Sequence, residues 1–272
     1  MTVFRTGLIA LCATMGAGAA LAADIPPATA PAYTPAPNPY DVVIEIGAGA
    51  LVKPAYEGAG VNVVQPFPIV TLHYLAIPGF APISNNRFDQ GFAFSPSFRY
   101  IQKRKASDYS QLAGLNDVDA TFEAGGKFSY TFGAVRPWAA IRQGFGGSDG
   151  FSGELGLDFI WRPDPVTEIT VGPRASFASK DYMQTYFGVT AAEAARSPLL
   201  AAYSAGGGFK GVGGELNARY EVSPEWAVIG KVTYEKLIGD AADSPIVQYG
   251  DANQWTAQIG LSYKLGLNVF GR

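Results

Sequence analysis

Apolar and polar residues alternate with a period of two along most of this chain, and this pattern constrains the fold more than any other feature. The alternation is clearest over residues 117–132. The apolar set there is Val118, Ala120, Phe122, Ala124, Gly126, Phe128, Tyr130 and Phe132. The polar set is Asp119, Thr121, Glu123, Gly125, Lys127, Ser129 and Thr131. Since successive side chains of a β-strand point to opposite faces, the pattern predicts strands with one apolar and one polar face.

The same alternation predicts ten strands in all, with twelve as the alternative count. The predicted strands are 42–53, 63–77, 91–102, 117–132, 135–145, 151–161, 167–180, 215–222, 226–237 and 255–269. Most are long, whereas strands of soluble proteins peak at about 5 or 6 residues and strands that cross a membrane need about 9 to 11. Strand length therefore favours a transmembrane barrel over a soluble β-sandwich or a lipocalin-like barrel.

Closure of the predicted sheet follows from the membrane environment. An open edge in hydrocarbon would leave backbone N–H and C=O groups without partners, at a cost of several kcal/mol each. The uncharged stretch 58–86 is not a candidate for a spanning helix, because four prolines interrupt it. We therefore predict an all-β fold, a closed antiparallel up-and-down transmembrane β-barrel over residues 41–272.

The connections between the predicted strands fit a barrel of this kind. Short turns at 133–134, 163–165 and 223–225 alternate with longer loops at 54–62, 103–116, 146–150, 181–212 and 238–253. In outer-membrane barrels the short turns face the periplasm and the long loops face outward. The segment 78–90 is the exception, because it takes the place of a short turn and has 13 residues. The strand count is least constrained there.

The first 40 residues are predicted to lie outside the barrel. Residues 1–22 have a positive residue near the start, an apolar core and an Ala-Leu-Ala sequence at the end, which is typical of a cleaved secretory signal peptide. Residues 23–40 contain six prolines and are predicted to form a flexible leader. Cys12, the one cysteine, lies in the predicted signal peptide, so the exported chain would contain no disulfide.

The composition argues against several functional classes. Only 16% of the residues are charged and the formal net charge is -3, so the chain has no basic field that would hold nucleic acid. One cysteine and one histidine cannot build a zinc site from Cys/His clusters. The sequence therefore predicts no nucleic-acid partner and no cofactor.

The polar parity of the strands predicts a charged barrel interior. The predicted inward-facing charges are Glu45, Lys53, Arg99, Glu123, Lys127, Glu154, Asp158, Arg162, Arg174, Glu215, Arg219, Lys231, Glu235 and Lys264. A barrel of about ten strands is only slightly wider than the eight-stranded barrels whose side chains just fill the interior. We therefore expect opposite charges to pair across the lumen and block it.

Tyrosine and tryptophan residues lie near the ends of the predicted strands. They are Tyr130, Trp138, Trp161, Tyr220, Trp226, Trp255 and Tyr263. Because amphipathic rings prefer the level of the lipid headgroups, these residues are predicted to form an aromatic girdle.

Several motifs of this chain resemble the MipA/OmpV family. They are Pro54-Ala55-Tyr56-Glu57-Gly58, Pro66-Phe67-Pro68, Asp117-Val118-Asp119, Asp181-Tyr182-Met183-Gln184-Thr185-Tyr186-Phe187-Gly188-Val189 and Gly239-Asp240-Ala241-Ala242-Asp243-Ser244-Pro245-Ile246-Val247. The resemblance covers residues 41–265, and the two longest motifs are specific. It implies an outer-membrane barrel of Gram-negative bacteria. It also implies a scaffold that joins a membrane-bound lytic transglycosylase to a bifunctional penicillin-binding protein in murein (peptidoglycan) synthesis, although other members are porin-like or adhesive.

A short helix is predicted in one outer loop, 181–203. Thr190 and Glu193 have the spacing of a capping box, in which each side chain bonds the backbone N–H of the other. The aromatic residues that precede this helix are Tyr182, Tyr186 and Phe187. Such a cluster either binds a ligand or covers the barrel mouth, and we favour the covering role.

The sequence predicts no catalytic or metal site. Asp240, Asp243 and Asp251 match no calcium-binding loop, so we interpret them as solvated turn carboxylates. His73 is the one candidate for a histidine base, and no G-x-S-x-G nucleophile motif accompanies it. We therefore predict that the protein is not an enzyme.

Three non-enzymatic functions are considered, of which the residues support the channel and the family resemblance implies the scaffold and the adhesin. The motifs favour a scaffold for the lytic transglycosylase and the penicillin-binding protein, docked through the leader and the short turns. The polar interior favours a small porin-like channel. A surface adhesin is the remaining alternative, and all three imply contact with outer-membrane lipid.

Overall fold

The computed structural model describes residues 38–80 and 82–270. The strands are β1 (Val42–Pro54), β2 (Asn62–Leu75), β3 (Ile83–Ser84), β4 (Gly91–Ile101), β5 (Thr121–Thr131), β6 (Val135–Gly146), β7 (Phe151–Trp161), β8 (Thr167–Ala178), β9 (Gly208–Glu221), β10 (Trp226–Leu237) and β11 (Asn253–Leu267). The all-β prediction is confirmed. The predicted counts of about ten and of twelve are wrong, because the exceptional segment 78–90 contains the two-residue strand β3 and the sheet has 11 strands.

The strands form one antiparallel sheet that is nearly closed. From β4 to β11, each strand pairs with the next in sequence, and β1 pairs with β11 from Val42 opposite Leu267 to Val52 opposite Ala257. This pairing joins the first strand to the last, as a barrel requires. The sheet nevertheless ends at β3 on one side and at β4 on the other. Prolines on β2 and β4 account for this departure from full closure, because they lack the N–H groups that a ladder between those strands would use.

The strand β9 starts at Gly208 and not at the predicted residue 215. Glycine is disfavoured in strands, so the glycine-rich sequence 206–214 indicated a loop. In the barrel, a Cβ at Gly211 would lie 2.1 Å from Oε1 of Glu235. The glycine therefore leaves room for that inward-facing side chain, which sequence periodicity cannot reveal.

Apolar residues of one parity face away from the barrel and are exposed. Among them are Val64, Val70, Phe92, Phe98, Phe122, Phe128, Leu155, Phe159, Val171, Leu216, Val232 and Ile259. An outward apolar band of this kind is what a lipid-embedded barrel presents to the hydrocarbon.

Most residues of the predicted aromatic girdle are on the outer face. Tyr130, Trp161, Tyr220, Trp226 and Trp255 are exposed. Trp138 contradicts the prediction, because it is only 8% exposed and its indole N–H donates to Asp158 inside the barrel. Its parity on β6 is that of Arg136, which bonds the same carboxylate.

Short helices lie in two of the long loops. They are α1 (Lys180–Phe187), α2 (Ala191–Arg196), α3 (Gly239–Ala242) and α4 (Pro245–Gln248), and two single 3₁₀ turns lie at 106–108 and 110–112. The helix α2 has the predicted capping box between Thr190 and Glu193. The sequence predicted one short helix, whereas the described residues contain four. The helices α1, α3 and α4 were missed because they are stabilised mainly by tertiary packing. Within residues 38–80 and 82–270, no helix combines the length and the apolar character needed to cross a membrane.

The predicted signal peptide at 1–22 and residues 23–37 of the predicted leader lie outside the described residues. Both assignments stay predictions.

Candidate functional site

The charged interior of the barrel is arranged in three layers, of which the lowest surrounds Glu45. This carboxylate is 1% exposed and accepts a hydrogen bond from Nη1 of Arg219 at 2.8 Å. Nε2 of His73 lies 2.5 Å from its other oxygen, and the Ser262 hydroxyl donates to the same oxygen as Arg219. The histidine considered as a catalytic base is therefore engaged in this buried network.

The described residues of the segment 76–90, which are 76–80 and 82–90, lie at the short-turn end of the barrel below this layer. Arg87 extends across the barrel base and donates to Glu221 at 3.0 Å and to the carbonyl oxygen of Pro165. Arg162 donates to the carbonyl oxygen of Arg87 and contacts the Phe88 ring, 5.3 Å from its centroid. This segment therefore ties strands on opposite sides of the barrel together.

The middle layer surrounds Asp158, which is 3% exposed. Arg136 and Arg174 donate to its two oxygens at 3.0 and 2.6 Å, and Nε1 of Trp138 donates at 3.2 Å. The ammonium group of Lys127 lies 4.0 Å from the centroid of the Trp138 ring. Each positive group of this layer therefore has a carboxylate or an aromatic face beside it.

The upper layer connects the barrel wall to the loops above it. Arg99 binds the buried carboxylate of Glu123 through two hydrogen bonds of 2.6 and 3.1 Å, and it also donates to the Tyr182 hydroxyl at 3.1 Å. Beside this pair, Arg142 donates to Glu154 at 2.9 Å.

Of the fourteen charges predicted to face inward, six illustrate how the structure places them within these layers or between them. They are Glu123, Lys127, Glu154, Asp158, Arg219 and Lys231. Lys231 lies 3.4 Å from Glu215, between the middle and upper layers. A cavity of about 280 Å³ remains there, lined in part by Arg99, Glu154, Arg174, Lys210, Glu215 and Lys231.

The family-motif loops converge over the long-loop end of the barrel and form what we call the cap, residues 55–61, 102–120, 147–150, 179–207 and 238–252. The side chains of α1 supply its apolar core. Tyr182 and Phe187 are fully buried, Met183 is 1% exposed and Tyr186 is 3% exposed. They pack with Leu237 and with residues of α3 and α4. These aromatic residues therefore lie inside the cap and not on its surface.

Hydrogen bonds fix α1 to the barrel and to the first motif. The Tyr182 hydroxyl donates to Oε1 of Glu57 at 2.5 Å, and Lys210 lies 3.4 Å from the same oxygen. The Tyr186 hydroxyl donates to Thr121 at 2.7 Å. Arg104, which sequence analysis did not single out, donates to the carbonyl oxygen of Tyr186 at 2.8 Å.

The other motif residues complete the cap mainly through backbone contacts. Ser244 donates to the carbonyl oxygen of Phe187 at 2.6 Å and caps α4, which begins at Pro245. Oε1 of Gln184 accepts from the backbone of 205 at 3.1 Å, and Oδ2 of Asp240 accepts from Gly206 at 2.5 Å.

Four further motif positions have simple structural explanations. Gly58 has a φ of +86°, a backbone conformation that favours glycine, and it also lies against the Val247 side chain. A Cβ at Gly188 would lie 2.0 Å from Nε2 of Gln184. Asp181 and Asp243 are at a helix start and a helix end, and within the described residues no group of three His, Cys, Asp or Glu could hold a metal ion.

Burial and charge act in opposite directions on the titratable groups of the cap. Burial raises the pKa of Glu57, but the charges of Lys210 and Arg99 outweigh it and hold that pKa below its usual value. Burial raises the pKa of Tyr186 to about 12 and that of Tyr182 further above its usual value. At neutral pH the cap therefore holds a carboxylate and two neutral phenols.

Acid is expected to loosen the cap through Glu57. Because its pKa is lowered in the folded state, the stabilisation is complete above the unfolded value of about 4.3 and is lost as the pH falls through the lower folded value. Hydrogen-exchange protection of α1, corrected for intrinsic rates, measures this loss. Glu57→Gln should weaken the hydrogen-exchange protection of α1 at neutral pH. In this variant, the protection should also decrease less than in the wild type as the pH falls. The exposed Asp149→Asn control should follow the wild-type curve, and an equal flattening there would contradict the assignment.

Together, these features define a transmembrane β-barrel with a filled lumen and a capped mouth. The chain belongs to the family described as MltA-interacting protein MipA, whose model matches residues 46–265. The resemblance seen in the motifs is thereby confirmed, and the protein is located in the outer membrane.

Two relatives illustrate the extent of the similarity. The MltA-interacting protein of Escherichia coli (strain K12) is 28% identical over 169 residues, which are 61% of this chain and 64% of that protein. The alignment thus spans less than two thirds of the relative. The outer membrane protein Omp26La of Vibrio anguillarum is 36% identical over 89 residues, 32% of each chain.

Solved structures of other outer-membrane barrels overlap with this one. An outer membrane channel from Pseudomonas putida F1 is 9% identical with a TM-score of 0.42, over 84% of this chain and 97% of that one. The NanC porin is 9% identical with a TM-score of 0.36, over 82% of this chain and all of that one.

Proposed function

We propose that the protein is a non-enzymatic scaffold of the outer membrane, which links a murein hydrolase to a murein synthase in peptidoglycan assembly. The family and the relative are described as MltA-interacting, which makes a lytic transglycosylase the first candidate partner. A penicillin-binding protein is the second candidate, and it rests on the motif resemblance alone. The observation that carries the proposal is the obstruction of the barrel axis by three layers of paired charges, with the cap above and Arg87 below. A barrel filled in this way is suited to presenting a surface.

The docking surface that we propose is the short-turn end. By the loop-length rule for outer-membrane barrels, this end faces the periplasm, where murein is made. The segment 76–90 presents Phe80, which is 76% exposed, and Ile77, which is 41% exposed, at this end. Exposed aromatic and aliphatic side chains are common anchors of protein interfaces.

Direct binding tests the scaffold. The barrel in lipid nanodiscs is immobilised, and binding of a purified lytic transglycosylase is measured by interferometry. Phe80→Asp should weaken binding by about tenfold or more, the loss typical of a truncated anchor. The matched control, Leu199→Asp, changes an exposed residue of the cap at the opposite end and should leave affinity unchanged. Absence of binding by the wild-type barrel, or an equal loss in both variants, would argue against the scaffold.

The non-enzymatic assignment is supported by the position of His73. Its Nε2 lies 2.5 Å from a carboxylate that Arg219 also binds, so the ring belongs to the interior ion-pair network. A hydrolytic activity that His73→Ala abolished without unfolding the barrel would overturn this part of the proposal.

A small channel is the second candidate, and the cavity of about 280 Å³ between the upper and middle layers supports it. If ions cross there, planar bilayers containing the protein should show discrete conductance steps. Replacement of Lys231, which lines the cavity, by glutamate should then change their ion selectivity. Silent bilayers would eliminate this candidate and leave the scaffold intact.

A further inference from the structure

The hydrogen-bond ladder of the barrel wall is interrupted between β2 and β4, which do not pair with each other in the described sheet. We call this interruption the opening. At its lower end, β3 pairs with β2 at Tyr74 and Leu75 only. Nδ2 of Asn85 donates to the carbonyl oxygens of Leu72 on β2 and Phe94 on β4, at 3.2 and 2.9 Å. Above Asn85 the two strand edges have no partner strand in the sheet.

The edges of this opening are poor in hydrogen-bond donors. In a strand, backbone groups of alternate residues point to the same side, so the carbonyls of Leu72 and Phe94 mark the parity that faces the opening. Pro66 and Pro68 share the parity of Leu72, and Pro96 shares that of Phe94. Because proline has no N–H, these three positions cannot donate to a closing ladder or to an added strand.

Cap residues close the upper end of the opening. The rings of Tyr56 and Tyr109 meet at 5.1 Å, and Nε2 of Gln111 donates to the Tyr56 hydroxyl at 2.9 Å. These contacts join the loop between β1 and β2 to the loop that follows β4. The opening is thus framed on four sides, and we call it the side window.

The surroundings of the side window are apolar on the outer face of the wall, and on the inner face they are apolar along β2. Along β4 the inward-facing residues are Ser95, Ser97 and Arg99, which are polar. Outside, Val64 and Val70 are each 74% exposed and Phe98 is 62% exposed. Inside, Phe67 and Ile69 extend over the lumen face of the neighbouring strands, where Cβ atoms at Gly49 and Gly260 would lie 2.5 and 2.7 Å from them. This is an apolar lining within an otherwise charged lumen.

A single polar group beside this lining is unsatisfied. Oε1 of Gln65, two residues before Phe67, is buried without a hydrogen-bond partner among the described residues. An unpaired buried acceptor is costly, so an occupant that donates a hydrogen bond there would be favoured.

We propose that the side window is a lateral portal through which the acyl chain of a membrane lipid enters the lumen and packs on Phe67 and Ile69. A lipid carrying a hydroxyl or an amide N–H near that chain would donate to Gln65. The occupant is a lipid and not a protein strand, because three prolines deprive the edges of strand donors and the outer rim lies in the apolar band. This binding site is independent of the proposed scaffold role.

Photochemical labelling tests the portal. The full exported chain is reconstituted in vesicles of phosphatidylethanolamine and phosphatidylglycerol, with a trace of phosphatidylethanolamine that carries a diazirine in the middle of one acyl chain. After illumination, labelled residues are identified by mass spectrometry. We expect labelling of inward-facing Phe67 and Ile69 as well as outward-facing Val70. Ser152 and Ser176, on the opposite inner wall, should stay unlabelled.

Closing the window provides the matched variant. P66T/P68T/P96T restores three backbone donors, so pairing of the edges should lower labelling of Phe67 and Ile69 about tenfold while Val70 keeps its label. The control P137T/P173T changes prolines of β6 and β8, away from the window, and should label like the wild type. Heat-modifiable migration on gels verifies that each variant is folded. If a variant fails to fold, the proposal is still tested by the wild-type protein alone, in which labelling of the inward-facing residues is compared with labelling of the outward-facing residues. Labelling confined to outward residues, or cross-links to a second copy of the chain at Phe67, would overturn the proposal.

Discussion

Replacement of Asp158 by alanine is expected to lower the free energy of unfolding by about 3–5 kcal/mol, because buried positive groups then lose their counter-charge. Asp158 is 3% exposed and accepts hydrogen bonds from Arg136, Arg174 and Trp138. The measurement is unfolding of the barrel in detergent micelles by guanidinium chloride, followed by far-UV circular dichroism.

Asp119→Ala is the matched control for this prediction. Asp119 also forms an ion pair, with Lys103 at 2.9 Å, but its side chain is 78% exposed. Exposed pairs contribute little to stability because water and salt screen them, so this variant should remain close to the wild type. Asp158→Asn keeps the shape of the side chain and loses its charge. Its free energy of unfolding should lie between those of Asp158→Ala and Asp119→Ala. Equal losses for Asp158→Ala and Asp119→Ala would show that the middle layer is not a major source of stability.

Replacement of Phe187 by alanine is expected to loosen the cap while the barrel remains folded. Phe187 is fully buried in the cap, and truncation of a buried phenylalanine costs about 3–5 kcal/mol. If the cap opens as a unit, the population of open molecules rises about 10²-fold to about 5 × 10³-fold. Trypsin cleavage at Lys180 and Arg196, both exposed, reports this population when opening is fast relative to cleavage.

Leu199→Ala serves as the control for the cap, since Leu199 lies in the same loop and is 45% exposed. It should be cleaved at the wild-type rate. Bilayers containing Phe187→Ala should also stay silent, because the charged layers below the cap are unchanged. Ion conduction by this variant would show that the cap, and not the paired charges, obstructs the barrel.

Sequence patterns predicted most of the wall of this barrel because the wall depends on local rules. Period-two alternation located β7 and β10 at their predicted bounds, since lipid on one side and charge on the other impose it along a whole strand. The strand predicted from residue 117 begins only at Thr121, because residues 117–120 belong to the cap. The capping box of α2 was equally visible, because all its hydrogen bonds lie within four residues. By contrast, β3 has two residues and is defined only by its partner β2.

The interior site was predictable in kind but not in detail. Parity indicates that Glu45 and Arg219 face inward, but their pairing across 174 residues of sequence depends on strand register and barrel shear. Trp138 was misplaced for a different reason. Its parity is that of inward-facing Arg136, but an aromatic ring near a strand end suggested the girdle. Arg87 and Lys210 lie in a proline-rich and a glycine-rich segment, where no periodicity indicates direction.

The pairing of β1 with β11 also determines when the molecule can assemble. Val42 belongs to the first described strand of the chain and Leu267 to the last, although the two residues are paired in the sheet. The wall therefore cannot be completed while the last strand is missing. Contacts this distant in sequence make folding slow and leave unpaired edges exposed in the meantime. A chain of this design therefore needs protection from aggregation during its transit of the periplasm, until its final fifteen-residue strand arrives at the membrane.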